Sequence, residues 1–420
     1  MFLGKHEHSG SWHLQVPGLS MESNDVPFHH EAEEEDRLSA LTDDVLLHIL
    51  GRVDLATASR TSTLSKRWRN LPWLLPELNL HVSDFLRPDD PVDVAQQKNQ
   101  AMASLTKATR SFLRHARIKQ YDTVARLSLK LYMTGKYKHD IGPLVSDAID
   151  DGVVKELDLA IVHEKQCCKN NEKLRQQARE VDGFFSAYPS MVPCLTTLHL
   201  QNVRFAEWDM GHLVFDCCKQ LRNLTLNNCD AGKLSVWQIN APNSNIRILT
   251  VYVSWLKRLE VLCLPKLERL HFESWLYHEF PLCLGSLPSL MEFGLLCPAP
   301  AGHRDFSLSQ VLRGTRNLHA LTLNFQGEKI WIQPDGKQLC TAFNRLRKLY
   351  IHGIFVEFDL LWTINLLEAA TSVEIFDVKL LLLEYRYTNI HAKKKKENFL
   401  GVRNNVLYYL ITRTVCECIF

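Results

Sequence analysis

The stretch LTTLHLQNVRF (195–205), followed by LRNLTLNNC (221–229), decides the fold. Each opens with the same unit: an apolar residue, two variable residues, an apolar residue, one variable residue and an apolar residue. In these two copies the apolar positions are Leu195, Leu198 and Leu200, then Leu221, Leu224 and Leu226. Toward the N-terminus the unit recurs as VKELDL (Val154, Leu157, Leu159) and VARLSL (Val124, Leu127, Leu129). Toward the C-terminus it recurs as IRILTV from Ile246, LERLHF from Leu267, LMEFGL from Leu290, LHALTL from Leu318, LRKLYI from Leu346 and a weak VEIFDV from Val373. Middle positions from Leu198 to Phe376 stand 21 to 28 residues apart, while the two earliest units precede their successors by 30 and 41. LEVLCL, at Leu259, Leu262 and Leu264, offers a competing register near the sixth unit.

A period of about 20 to 29 residues with this pattern is that of leucine-rich repeats, in which a short strand and a return segment stack into a curved solenoid. An ordinary sandwich or parallel α/β sheet with similar strand spacing is the alternative. Side chains alternate along a strand, so the apolar triplet faces the core and the intervening residues face the concave surface. That puts Thr197, His199, Asn223, Thr225 and Thr250 on one face, with Tyr252, Arg269, His271, Glu273, Lys348, Tyr350 and His352 as candidate target contacts. A mixed polar face with aromatic and cationic members suits recognition of a protein or peptide. The Asn or Cys of regular repeats, three positions after the last core residue, is present only as Cys229, which predicts that the buried side-chain ladder is mostly absent.

Upstream lies DRLSALTDDVLLHILGRVDLATASRTSTLSKRWRNL (36–71). Val45, Leu46, Ile49, Leu50 and Val53 follow helical spacing, with Thr42 placed to cap and Asp43 and Asp44 at the positive end of the dipole. Asp54 is placed to cap a second short helix, and a third is predicted to align Leu64, Trp68 and Leu71 on one stripe. Three such helices cannot bury their apolar faces alone, so a partner or a following domain must cover the remainder.

The run Leu38, Leu41, Asp43 to Leu46, Ile49, Leu50 and the closing LSKRWR resemble the F-box of plant proteins, and the degenerate repeats resemble those that follow plant F-boxes. The family usually has proline after that leucine where this chain has Thr42. The resemblance implies an α/β architecture of a three-helix F-box followed by a curved solenoid with a parallel sheet on its concave face. It also implies a SKP-type adaptor, and through it a cullin, bound through Leu38, Leu41, Val45, Leu46, Ile49, Leu50, Val53, Leu64, Trp68 and Leu71. The repeats would then hold an unknown target protein, and the chemistry would belong to other ligase subunits. A repeat scaffold acting outside a ligase, a helical cap on the next domain, and an enzyme built on a repeat fold are the rival readings.

Composition bounds the rest. A net charge of +2 points to no nucleic acid, and no apolar run approaches the ~18 residues of a membrane span. Without a signal-peptide-like apolar run, the twelve cysteines read as reduced thiols of a nuclear or cytoplasmic protein. Cys167/Cys168, Cys217/Cys218 and Cys416/Cys418 lack metal-site spacing, and no metal or cofactor is expected. His199, His271 and His352 fall in separate repeats with no nucleophile motif, so no catalytic residue is expected. The expected organisation is an acidic disordered leader (1–35, with Met21 as a second possible start), the F-box (36–83), a connector with a capping helix (84–122), the repeats (123–380) and an irregular tail (381–420). Lys393 to Lys396 reads as a solvated loop before a nuclear-import signal, and the lack of a recognisable further C-terminal region suggests a shortened member of the family.

Overall fold

The computed structural model describes residues 38–381, apart from 39, 87–93, 119–123, 134–136, 164–169, 206–210, 231, 233–234, 253–255, 274–279, 297–305, 328–331, 334–335 and 356–361. The expected leader, the tail after Leu381 with its lysine run, Cys167, Cys168, Cys416, Cys418 and most of the connector lie outside these residues. Two compact units are distinguished, Met1–Thr42 and Asp43–Phe420. In the first, a turn is closed by Leu41 N donating to Leu38 O at 3.2 Å.

The second unit begins with α1 (Asp43–Leu50) and α2 (Leu55–Thr61). Asp54 caps α2 as the sequence suggests: its carboxylate accepts from Thr57 N at 2.8 Å and from Thr57 Oγ1 at 2.7 Å. The third helix does not form. Hydroxyls of Thr61, Ser62 and Thr63 donate to carbonyls three residues back at 2.7, 2.6 and 2.8 Å, closing α2 in turns. Pro72, which has no N–H to donate to the carbonyl of Trp68, would end a helix running through that residue, and the chain continues in a 3-10 turn, Leu71–Leu74. Leu64, Trp68 and Leu71 therefore do not share a stripe: Leu64 is exposed, while the other two are buried.

Two residues after that turn the main sheet starts with β1 (Glu77–His81), inside the segment expected to be F-box. Its sequence, LPELNL with buried Leu75, Leu78 and Leu80, is a further copy of the repeat unit. Leu78 and Leu80 register against Leu127 and Leu129 of β2 (Val124–Tyr132). Between them runs α3 (Val94–Ile118), whose Met102, Leu105, Thr109, Phe112, Leu113 and Ala116 are buried along one stripe as the spacing predicts. Its role differs from the expected plug. Two parallel strands need a crossover connection, and α3 supplies it.

The crossovers continue through α4 (Tyr137–Asp150), β3 (Val154–Val162), α5 (Asn171–Ala187), the short α6 (Met191–Cys194) and β4 (Leu195–Gln201). After a π-turn, His212–Cys217, come β5 (Asn223–Asn227), β6 (Val236–Asn240), β7 (Ile248–Tyr252), β8 (Arg258–Cys263), β9 (Arg269–Glu273), β10 (Leu282–Ser286) and β11 (Glu292–Leu296). The chain then runs through β12 (Phe306–Ser307), α7 (Leu308–Leu312), β13 (Ala320–Asn324), β14 (Ile332–Gln333), α8 (Gly336–Phe343), β15 (Lys348–Phe355), α9 (Trp362–Ala369) and β16 (Ile375–Leu381).

Eleven parallel strands form one sheet in the order β1-β2-β3-β4-β5-β7-β9-β11-β13-β15-β16, and β10-β8-β6 form a second parallel sheet. The competing register at LEVLCL is thus resolved: it is β8, a strand of the second sheet, and LERLHF supplies β9 of the first. Leucines of the triplets fill the space between, with Phe272, Phe293, Phe325 and Phe343 fully buried. Each such side chain contributes about 1.5–3 kcal/mol.

Two polar rungs are present, at a position the repeat pattern did not indicate. Asn202 and Asn228, two residues after the last core leucine, are buried at φ 59° and 51°, a left-handed conformation that Asn tolerates. Asn228 Nδ2 donates to Asn202 Oδ1, and their backbone N–H groups donate to Tyr252 O and Asn227 O, each at 2.9 Å. Cys229 adds a weak bond, its thiol donating to Leu200 O at 3.4 Å. Just beyond, the Arg204 guanidinium meets both oxygens of Asp230 at 2.6 and 2.8 Å, with the two side chains 6% and 0% exposed.

Candidate functional site

Two surfaces offer themselves, the outer side of the helical module and the open face of the main sheet. On α1, Leu46 and Leu50 form an i, i+4 pair turned into the core, while Val45 and Ile49 form a second pair turned out, 43% and 38% exposed. Val53 and Leu64 are also exposed, Leu64 at 66%. The ten expected adaptor contacts therefore divide. Leu46, Leu50, Trp68 and Leu71 are buried within the chain, which corrects their placement on a contact surface, whereas Val45, Ile49, Val53 and Leu64 face solvent. In the first unit, Leu38 is exposed and Leu41 is half-buried. The module is tied across its ends by Arg67, whose Nε donates to Asp43 Oδ1 at 2.7 Å. Trp73, at the end of the 3-10 turn, stacks on His115 of α3 with ring centroids 4.2 Å apart and lies 4.5 Å from Phe112.

On the sheet, register sets the intervening residues in rows. One row runs Thr197, Asn223, Ile248, Arg269, Glu292; the next runs His199, Thr225, Thr250, His271, Gly294, Thr322, Tyr350. The seven expected target contacts do not form one cluster. Tyr252, His271 and Glu273 meet on β7 and β9: Tyr252 registers opposite Glu273, and its ring lies 5.3 Å from that of His271. Tyr350 and His352 meet on β15, rings 5.9 Å apart, with exposed Lys348 on the same strand. Arg269 belongs to neither group, being paired with Glu292 at 3.3 Å.

The carboxylates of this face and of the strand starts are nearly all matched to cations. Glu156 takes Arg126 at 2.8 Å, Glu268 takes Arg247 at 3.3 Å, Glu374 takes Arg347, and Asp377 takes Lys379 at 3.7 Å, with the His352 ring a further hydrogen-bond partner at 3.1 Å. Glu273 differs, for among the described residues it accepts only from Gln326 Nε2, at 3.3 Å. Burial raises its pKa, against the opposing effect of that hydrogen bond. Burial lowers the pKa of His199, His271 and His352, in the last case against Asp377, so these rings are neutral at pH 7.

Sequence reasoning missed three participants: Gln326, Asp377 and Gly294. The first two come from a turn after β13 and from the weakest repeat. Gly294 carried a readable signal, since a glycine at a face position within a strand marks a close approach. A Cβ there would lie 2.7 Å from His271 Nδ1. Among the described residues no group of three or more His, Cys, Asp or Glu could hold a metal ion, and no helix is long and apolar enough to cross a membrane.

Comparison with known proteins bears on both surfaces. A family model for the F-box domain matches residues 38–72, and one described as the At1g61320/AtMIF1 LRR domain matches residues 186–402, just over half of the chain. An Arabidopsis thaliana F-box/FBD/LRR-repeat protein is 27% identical over 199 residues, 46% of this chain and 39% of the relative. A second F-box/FBD/LRR-repeat protein of the same plant is 28% identical over 50% of this chain and 44% of the relative. A putative F-box protein, also from Arabidopsis, is 24% identical over 63% and 57%. The chain spans about half the length of the relatives it matches.

Proposed function

Because the chain belongs to the F-box/leucine-rich-repeat family of plant proteins, we propose that it is the substrate-recognition subunit of a SKP–cullin–F-box ubiquitin ligase. The helical module holds the SKP-type adaptor, and the open sheet face holds a target protein in the nucleus or cytoplasm. The ligase's other subunits carry out ubiquitin transfer, which this chain accelerates by raising the local concentration of target lysines.

One observation carries the reading: α1 is apolar on two sides, and only one is covered by the chain itself. Leu46 and Leu50 fix the helix to the body, leaving Val45 and Ile49 with Val53 and Leu64 as apolar surface that a partner would bury. The residues to change are therefore Val45 and Ile49, since polar replacement of Leu46 or Trp68 would unfold the module. Capture of the full chain by a purified SKP-type adaptor should fall about tenfold or more for the double variant V45D/I49D, with its thermal melt unchanged. Undiminished capture would overturn the reading and leave the scaffold acting outside a ligase.

A further inference from the structure

We propose that Glu273 anchors a lysine or arginine side chain of the target, so that the open face selects proteins presenting a basic residue; this rests on the receptor reading in taking that face as the target surface. The first ground is stoichiometric. Glu156, Glu268, Glu292, Glu374 and Asp377 each have an arginine or lysine within 4 Å, whereas among the described residues Glu273 has the side-chain amide of Gln326. Among the described residues no cation approaches it.

The second ground is its setting. Glu273 is half-buried, and a partly desolvated carboxylate with one neutral donor is held at a cost that a matched cation would remove. Tyr252, in register with it on β7, supplies an aromatic face for the aliphatic stem or the charge of the incoming side chain. His271 does not fill the vacant role, because burial keeps it neutral and its ring is seated over Gly294 on the next strand. A divalent ion fits less well, since one carboxylate and one amide are too few hard oxygen donors.

The test uses the full chain and a display library of random peptides of about 12 residues. Enriched peptides should share a lysine or arginine, and E273Q should weaken them about tenfold, as expected for a charge pair. Norleucine in place of the peptide lysine should cost the same factor, and the two changes together no more than either alone, because both remove one interaction. Enrichment without a basic residue, no enrichment, or losses that simply multiply would overturn the proposal. Adaptor capture is measured on the same preparations and should not respond to E273Q. It depends on Val45 and Ile49, so either reading can fail while the other stands.

Discussion

The repeats before β5 and those between β5 and β11 solve one problem in two ways. From Leu78 to Leu127, Leu127 to Leu157 and Leu157 to Leu198 the spacings are 49, 30 and 41 residues, and the chain returns through α3, α4 and α5. From Leu224 to Leu249, Leu270 and Phe293 they are 25, 21 and 23, and it returns through β6, β8 and β10. At 27 or 28, beyond Phe293, helices come back as α7, α8 and α9. The reason is rise per residue. A helix advances about 1.5 Å per residue and a strand about 3.3 Å, so a short repeat can recross the layer only in extended form. Return type thus follows from residue count.

Three substitutions would break or sharpen that contrast. The largest effect is expected where the two regimes meet, at the buried Arg204–Asp230 pair. Asp230→Ala leaves a buried guanidinium without its carboxylate and should cost about 3–5 kcal/mol in urea unfolding. Next is Gly285→Ala in β10, whose Cβ would fall on the carbonyl oxygen of Leu262 in β8. Backbone must shift there, and a loss of about 1–3 kcal/mol should appear as a lower melting temperature. The smallest change has the opposite sign. Gly183, inside α5, has nothing within 4 Å of an added Cβ, so Gly183→Ala should stabilise by about 0.5–1 kcal/mol. If both Gly→Ala variants moved the melting temperature in the same direction, the contrast between the crowded strand return at Gly285 and the open helix return at Gly183 would be refuted.

Each of the ten repeat units quoted from the sequence forms a strand of the main sheet, because a triplet of apolar residues at strand spacing, buried in all but the half-buried VEIFDV at the sheet edge, leaves few other ways to fold. The eleventh, LPELNL, has the same pattern but adjoins the helical signature and was read as part of it. LEVLCL matches the repeat spacing at Leu259, Leu262 and Leu264, yet β8 buries Leu259 and Val261 and exposes Leu262, a choice between aliphatic neighbours that spacing alone does not make. The asparagine rungs were hidden because positive φ at Asn202 and Asn228 is a property of backbone path rather than of spacing. For the sites, the apolar residues of α1 were legible as a set but not as two faces. Val45 and Leu46 are both aliphatic, and only packing tells which one points inward. Glu273 shares its side of β9 with Arg269 and His271, as strand alternation predicts, yet that no cation reaches it among the described residues depends on neighbours contributed by β7 and by the turn after β13.

The stacking of Trp73 on His115, with Phe112 tilted against the same ring, has a mechanical consequence. Only two residues separate the last turn of the helical module from the first strand of the sheet, and this aromatic clasp joins that turn to the first crossover helix. The module is thus joined to the solenoid by a short link with an aromatic brace beside it. For a receptor of the kind proposed, such a link would narrow the range of bearings at which a target is presented to the adaptor, and the choice of which lysine is modified would fall to the target's own geometry.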